Sequence, residues 1–215
     1  MNQNKNLNNI RREYKLNKLS EKNVRKNPFE QFSVWFSEVL KAGLIEPNAM
    51  GLSTADNKNR PSARMVLMKD FDYTGFTFFT NYESKKGKEL AENPFAALLF
   101  YWVELERQVR IEGRVKKLNK SESELYFQTR PFESKLSAIA SSQSKIITDR
   151  TYLEKKIQQV KSKHPDGKVP LPDYWGGYKL IPNYFEFWQG RENRLHDRIA
   201  YKRLKRIWKI FRLAP

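Results

Sequence analysis

The sequence contains no cysteine among its 215 residues. This absence excludes disulfide bonds, thiolate metal sites and a cysteine nucleophile, and it fits a reducing compartment. Histidine is scarce as well, since only His164 and His196 can supply an imidazole. A metal site needs several such ligands in one place, so we expect no metal centre.

Long hydrophobic runs are also missing. The longest, from Phe95 to Val103, is far shorter than the roughly 20 residues that span a bilayer. The N terminus is rich in Asn and Lys and lacks the apolar core of a signal peptide. We therefore expect a cytoplasmic protein with no membrane partner. Its 39% hydrophobic and 13% aromatic content is compatible with a folded globular chain.

Acidic residues are in the minority, and the formal net charge is +17. Residues 1–27 carry +6 and residues 191–215 carry +7, which leaves +4 for all of 28–190. The surplus positive charge therefore lies in two terminal segments. Basic terminal segments usually increase solubility or attract anions weakly. A basic nucleic-acid-binding module stays an alternative, but the chain has no recognisable DNA- or RNA-binding motif, so we do not expect a nucleic-acid partner.

The pattern of apolar residues predicts a mainly β protein with helical insertions, an α+β fold. Asn27 and Pro28 are typical of a helix start, and an apolar stripe then continues to Gly43. Short links between β-rich runs favour an antiparallel meander or barrel. We predict an N-terminal arm over 1–26 and a single domain over 27–215. Strands are predicted at 50–55, 62–69, 76–80, 95–103, 108–118, 177–181, 184–189, 195–201 and 207–213, and further helices at 121–129 (with Ser121 and Glu124 as a capping box), 131–140 and 151–163.

An aromatic run that stops at Gly190 and gives way to cations is the strongest sign of a binding site. If the chain continues as a strand, Arg194, His196 and Arg198 lie on one face and Asp197 on the other. Guanidinium and imidazole groups suit an anionic ligand. A solvated strand face paired with nearby acids is the alternative.

Other segments could also hold anions. Ser84 can cap a helix through Glu89 to Glu92, which would place Lys85 and Lys86 beside free backbone amides. Tyr126 and Arg130 are four residues apart on one predicted helix face, and the break at Pro131 can turn Ser134 towards them. An ordinary capped surface helix and a surface helix pair are the commoner explanations of these two patterns. The remaining candidates are the cations of the strand Arg64 to Lys69 and the polar side chains of Gln108, Gln143 and Ser144.

Taken in order along the chain, these segments resemble the pyridoxine/pyridoxamine 5′-phosphate oxidase family of FMN-dependent enzymes. The resemblance extends over nearly the whole chain. It rests on Arg11-Arg12-Glu13-Tyr14, Arg64 to Lys69, Leu105-Glu106-Arg107-Gln108, Val169-Pro170-Leu171-Pro172, Trp175-Gly176-Gly177, Phe185 to Arg198 and Arg212-Leu213-Ala214-Pro215.

The resemblance implies an antiparallel Greek-key split β-barrel that works as a homodimer with FMN at the subunit interface. It implies oxidation of pyridoxine 5′-phosphate and pyridoxamine 5′-phosphate to pyridoxal 5′-phosphate, with oxygen reduced to hydrogen peroxide. Arg194 and His196 would be the catalytic residues. FMN would be held by Arg64, Met65, Val66, Leu67, Met68, Lys69, Phe79, Thr80, Lys85, Lys86, Gln108, Gln143, Ser144, Trp188 and Arg198. Substrate would contact Arg11, Tyr14, Lys69, Tyr126, Arg130, Ser134, Arg194 and His196.

Three positions depart from the family pattern. Phe79 and Lys85 stand where relatives often carry Tyr and Arg, and Arg191 is unusual within its link. Two further alternatives share the same fold: a noncatalytic carrier of flavin or pyridoxal phosphate, and an oxidoreductase that reduces its flavin with a nicotinamide.

Overall fold

The computed structural model describes residues 13–215. Arg11, which was predicted to contact substrate, lies outside them. The chain forms two compact units: the first contains residues up to 47, 99–110 and 184–215, and the second contains 48–98 and 111–183. The predictions of an arm over 1–26 and of one domain over 27–215 stay predictions.

The first unit is built around helix α1, Pro28–Lys41. The Asn27 side chain accepts a hydrogen bond from the Phe29 N–H at 3.0 Å, and Pro28 occupies the first turn, as predicted. The apolar face of α1 is buried: Phe32 packs edge-on against Phe100, with ring centroids 5.1 Å apart. The amphipathic pattern therefore sets which side of α1 faces the core.

Three long strands, β5 (Phe95–Trp102), β6 (Arg107–Lys117) and β7 (Trp175–Gln189), have residues in both units. In the first unit, β8 (Asp197–Leu204) pairs antiparallel with β7, and β9 (Ile207–Arg212) pairs antiparallel with β8. The register places Trp188 opposite Arg198 and Gln189 opposite Asp197. Residues 103–105 and 192–194 form short 3-10 turns.

The second unit contains the strands β1 (Ala49–Ala55), β2 (Pro61–Leu67), β3 (Asp70–Asp72) and β4 (Gly75–Asn81). The strands follow the order β2-β1-β5-β6-β7-β4-β3, and the pairings of β1 with β2, β3 with β4 and β4 with β7 are antiparallel. Short turns after Ala55 and Asp72 join β1 to β2 and β3 to β4. The helices of this unit are α2 (Lys85–Glu92), α3 (Lys120–Thr129), α4 (Phe132–Ala140) and α5 (Arg150–Ser162).

Several predicted details were wrong. The strands expected at 177–181 and 184–189 are one strand, β7. Its pairing with β4 ends at Leu180 and its pairing with β8 begins at Tyr184, so Pro182 interrupts neither. Helix α3 begins one residue earlier than predicted, and its capping box joins Asn119 to Glu122 instead of Ser121 to Glu124. The Asn119 side chain accepts the Glu122 N–H at 2.8 Å, and the Glu122 carboxylate accepts the Asn119 N–H at 3.0 Å.

The strand predicted at 195–201 also begins later, at Asp197. Asn193 and Arg194 have φ values of 55° and 59°, which end the extended conformation after Gly190. Asparagine adopts this left-handed region more readily than most residues. Because Arg194 and His196 precede the strand, the alternation of strand faces does not apply to them.

No helix within residues 13–215 is long and apolar enough to cross a membrane.

Helix α2 packs closely against the backbone of Tyr82, and Gly87 makes this packing possible. A Cβ at this position would lie 2.2 Å from the Tyr82 carbonyl oxygen. We therefore expect Gly87→Ala to lower the free energy of unfolding by about 3 kcal/mol, since backbone must shift to relieve the overlap. Denaturant unfolding measures this loss. At Gly43, where φ is 68° and no atom lies within 4 Å of a new Cβ, alanine should cost only about 1 kcal/mol. Equal losses at the two positions would contradict this account.

Candidate active site

A cavity of about 520 Å³ opens in the second unit, a size suited to small phosphorylated ligands. It brings together residues from three strands, β2, β4 and β7, and three helices, α2, α3 and α4, that are far apart in sequence. Eleven of the predicted site residues line it, together with Asn81, Thr129, Pro131 and Trp175, which were not predicted. The eleven are Met65, Val66, Leu67, Lys69, Phe79, Thr80, Lys86, Tyr126, Arg130, Ser134 and Gln143.

Arg130 is the cation of this cavity that most clearly lacks compensation. It caps the C-terminal end of α3, and Pro131 prevents the helix from continuing. Its guanidinium lies over the ring of Trp175, 4.7 Å from the centroid. Its Nη1 atom is buried and has no hydrogen-bond partner within the described part of the chain, and burial lowers the pKa of Arg130. An anionic ligand would supply the missing acceptor.

Stacked aromatic rings form one wall of the cavity. Phe79 stacks on Tyr126 with centroids 3.8 Å apart and planes inclined by 17°, and on Trp175 at 5.5 Å and 13°. A Cβ at Gly177 would approach Phe79 to 2.8 Å, so glycine at this position lets the ring lie flat. Trp175 was missed as a site residue. The sequence signal that could have identified it is its Trp-Gly-Gly motif, because paired glycines indicate close packing against neighbouring side chains.

Lys86, Thr80 and Gln143 form a second polar cluster in the cavity. The Lys86 Nζ donates to Thr80 Oγ1 at 3.2 Å and to Gln143 Oε1 at 3.1 Å. Burial, and then the charge of Arg64, lower the pKa of Lys86. The Ser84 side chain accepts the Gly87 N–H at 3.2 Å and so caps α2 as predicted. The cap positions Lys86 at the end of the helix that favours anions.

Glu89 pairs with Arg64, which does not itself line the cavity. The Arg64 guanidinium donates to the Glu89 carboxylate at 3.1 Å, and the Ser62 hydroxyl donates to the same carboxylate at 2.7 and 2.8 Å. Burial alone would raise the pKa of Glu89, but hydrogen bonds from Ser62, Thr54 and Arg64 outweigh it and lower the pKa. Sequence patterns did not identify Glu89 as a partner, because the pair joins a strand to a helix.

Three other predicted residues of this unit do not line the cavity. Met68 is buried, and its N–H donates to the Asn48 carbonyl at 2.9 Å. Lys85 is exposed, with its Nζ 3.9 Å from Glu89. Ser144 is exposed and has a φ of 70°. Their roles, and that of Arg64, stay predictions.

The first unit contains a separate aromatic cluster around His196. The imidazole lies 4.7 Å from the Trp188 ring, and Tyr14 packs edge-on against both rings at 5.6 Å. A Cβ on Gly190 would lie 2.7 Å from the Tyr14 ring, so the glycine makes room for it. Burial, followed by the charge of Arg194, lowers the pKa of His196.

Arg198 is fixed opposite Trp188 by two acceptors. Its Nε donates to the buried carboxylate of Glu186 at 2.8 Å, and its Nη1 donates to the Ala214 carbonyl at 2.7 Å. Arg194 is exposed, and Gln108 is half-buried on β6. The structure thus brings His196 next to Trp188, which lies opposite Arg198. The common strand face predicted for Arg194, His196 and Arg198 does not form, because Arg194 and His196 precede β8.

Similar folds occur in solved structures. A structure described as a pyridoxamine 5′-phosphate oxidase-related, FMN-binding protein from Nostoc punctiforme matches with a TM-score of 0.69 at 18% identity, covering 86% of this chain and 97% of the other. PhzG from Burkholderia lata, solved with tetrahydrophenazine-1-carboxylic acid, matches with a TM-score of 0.87 at 30% identity, covering 93% and 99%. The chain has the antiparallel split-barrel fold of FMN-binding proteins.

Sequence comparison narrows this class. Residues 36–164 match the family described as pyridoxamine 5′-phosphate oxidase, and residues 175–215 match the pyridoxine 5′-phosphate oxidase C-terminal dimerisation region. Proteins called pyridoxine/pyridoxamine 5′-phosphate oxidase from Herminiimonas arsenicoxydans and Trichormus variabilis are 56% and 54% identical over 207 residues. These alignments cover 96% of this chain and 98% and 97% of the relatives. The chain belongs to the pyridoxamine 5′-phosphate oxidase family and is an oxidoreductase.

FMN is the cofactor of this family. The second unit has hydrogen-bond donors that fit the phosphate group of FMN. Lys86 presents a cationic group, and the Thr80 hydroxyl lies 3.2 Å from its Nζ. Such a set is suited to phosphate oxygens.

The buried pair of Glu89 and Arg64 should make stability depend on pH. The pKa of Glu89 is lower in the folded chain than its ordinary 4.5, so its contribution is complete above pH 4.5 and is lost as the pH falls below it. We expect Glu89→Gln to cost about 3 kcal/mol at pH 7, because Arg64 loses its partner, and less at pH 4. Denaturant unfolding at pH 4 to 7 measures this. Glu92→Gln, at an exposed site on the same helix, is the control, and a pH-independent loss in Glu89→Gln would contradict the assignment.

Proposed function

We propose that this protein oxidises pyridoxine 5′-phosphate and pyridoxamine 5′-phosphate to pyridoxal 5′-phosphate, with oxygen as acceptor and hydrogen peroxide as product. The names of relatives at 54% and 56% identity support the substrate class. The observation that carries the proposal is the unpartnered, buried Nη1 of Arg130 in a cavity that also contains Lys69, Tyr126 and Ser134.

In this proposal, the substrate phosphate binds to Lys69, Tyr126, Arg130 and Ser134. Arg130 supplies a planar pair of donors, Lys69 supplies a second positive charge, and the two hydroxyl groups complete the set. Because Arg130 rests on the Trp175 ring, its donors are oriented before ligand arrives. Both substrates carry the same phosphate, so these residues bind the alcohol and the amine alike.

Arg194 and His196 orient the vitamin ring. The exocyclic carbon at the 4 position loses a hydride, and the oxygen or nitrogen attached to it loses a proton to solvent. The alcohol gives the aldehyde directly, and the amine gives an imine that water converts to the aldehyde and ammonia. When bound, FMN supplies the two-electron acceptor for this step. The protein contributes position and charge balance and needs no nucleophile of its own.

The residues proposed to hold FMN are those of the tract Arg64 to Lys69 and the polar set around α2. We place FMN at the interface of a homodimer, because residues 175–215 match a dimerisation region. The FMN contacts proposed within that region are Trp188 and Arg198. The others are Phe79, Thr80, Lys85, Lys86, Gln108, Gln143 and Ser144.

Arg130→Ala should raise KM for both phosphorylated substrates about 10- to 100-fold, because one charge-assisted contact is lost. The change in kcat should be small, since the phosphate contact is made equally before and during the reaction. Steady-state oxidase assays with both substrates measure this.

Arg150→Ala is the matched control, because Arg150 is exposed on α5 and pairs only with Glu154 among the described acids. Turnover of unphosphorylated pyridoxine, however slow, should be equal in wild type and Arg130→Ala. An unchanged KM for the phosphorylated substrates in Arg130→Ala would overturn the assignment. Reduction of the flavin by NADPH but not by pyridoxine 5′-phosphate would overturn the proposed function itself.

A further inference from the structure

The turn between β7 and β8, residues 190–196, contains a hydrogen bond between its first residues and His196. The backbone N–H of Arg191 donates to Nδ1 of His196 at 3.1 Å. A backbone amide can only donate, so Nδ1 must accept through its lone pair. In the neutral imidazole the single proton then belongs to Nε2.

The surroundings of the ring favour this one orientation. The imidazole is held between Trp188, at 4.7 Å, and the edge of Tyr14, at 5.6 Å. Turning the ring by 180° would place a C–H group against the Arg191 N–H and leave that donor without an acceptor. The hydrogen bond therefore selects the position of Nδ1 as well as its protonation state.

Both ends of the turn are fixed. At one end the Gly190 N–H donates to the Glu106 carbonyl at 2.8 Å. At the other, the Arg191 Nη1 donates to Asp197 at 3.2 Å, and Asp197 also accepts the Leu19 N–H at 3.0 Å. The Arg191 N–H is thus held where His196 needs it.

The charges around the ring do not favour a second proton. Arg194, on the same turn, acts with burial to lower the pKa of His196. The nearby acids are engaged elsewhere: Glu192 with Lys15, Asp197 with Arg191 and Arg212, and Glu186, on the strand of Trp188, with Arg198 and Arg110. The segment that packs against the imidazole carries the Tyr14 hydroxyl, and the charges on either side of it, Glu13 and Lys15, pair with each other at 2.7 Å.

We propose that His196 is held as the neutral tautomer with its proton on Nε2, and that it serves the substrate as a fixed hydrogen-bond donor. Its Nδ1 lone pair is occupied by the Arg191 N–H and its Nε2 already carries a proton, so it has no free lone pair with which to take a proton from the substrate. The tautomer follows from the turn alone, while the role towards substrate rests on the proposed function.

Nitrogen-15 NMR of the FMN-loaded protein with labelled histidine tests the tautomer directly. The chain has two histidines, so a His164→Gln variant assigns the signals of His196. We expect the Nδ1 shift of an acceptor and the Nε2 shift of an N–H from pH 6 to 8. A proton on Nδ1, or the averaged shifts of freely exchanging tautomers, would overturn the proposal. The NMR measurement needs no turnover, so its result for the tautomer is independent of whether the proposed function is correct.

Two substitutions of His196 distinguish a hydrogen-bond donor to substrate from a general base. The amide of His196→Gln can present an N–H but cannot accept a proton at neutral pH, whereas His196→Phe can do neither. We expect kcat/KM within about tenfold of wild type for Gln and a further 10- to 100-fold loss for Phe, as for one hydrogen bond to a charged group. Equal losses in the two variants would contradict the donor role.

Discussion

Pairing of buried carboxylates with arginines decides which cations of this strongly basic chain remain available to a ligand. A buried charge is costly unless it is paired, and Glu89, Glu186 and Asp197 each hold arginines in this way. Arg130 rests on aromatic rings instead, and no acid pairs with it among residues 13–215. The net charge of +17 therefore says little about binding. We therefore expect ligand binding to depend on uncompensated cations such as Arg130 more than on the net charge.

Much of the fold could be predicted because its signals are local. The cap at Asn27 with Pro28, the cap at Ser84 and the turns after Asp56 and Asp72 each depend on a few adjacent residues. The errors arose where two local signals competed. Asn119 and Ser121 are both good caps, and only the return of the Glu122 side chain decides between them. A proline normally ends a strand, yet β7 continues through Pro182.

The candidate site was less predictable from local pattern, because its residues meet through tertiary contacts. Tyr126 and Arg130 were predicted to share a helix face and do line one cavity. By contrast, a period of two could not reveal the left-handed residues Asn193 and Arg194, which take His196 off the strand. The roles of Trp175 and Glu89 depend on partners in other elements, and no spacing in the sequence announces them.

Gly190 and Tyr14 constrain each other. Because the Tyr14 ring occupies the space in which a Cβ at position 190 would lie, any side chain gained there must displace the ring from Trp188 and His196. The two positions are far apart in sequence, yet a substitution at one changes what the other can accommodate. We expect relatives that keep an aromatic ring at the first position to keep glycine at the second, and relatives without the ring to vary at both.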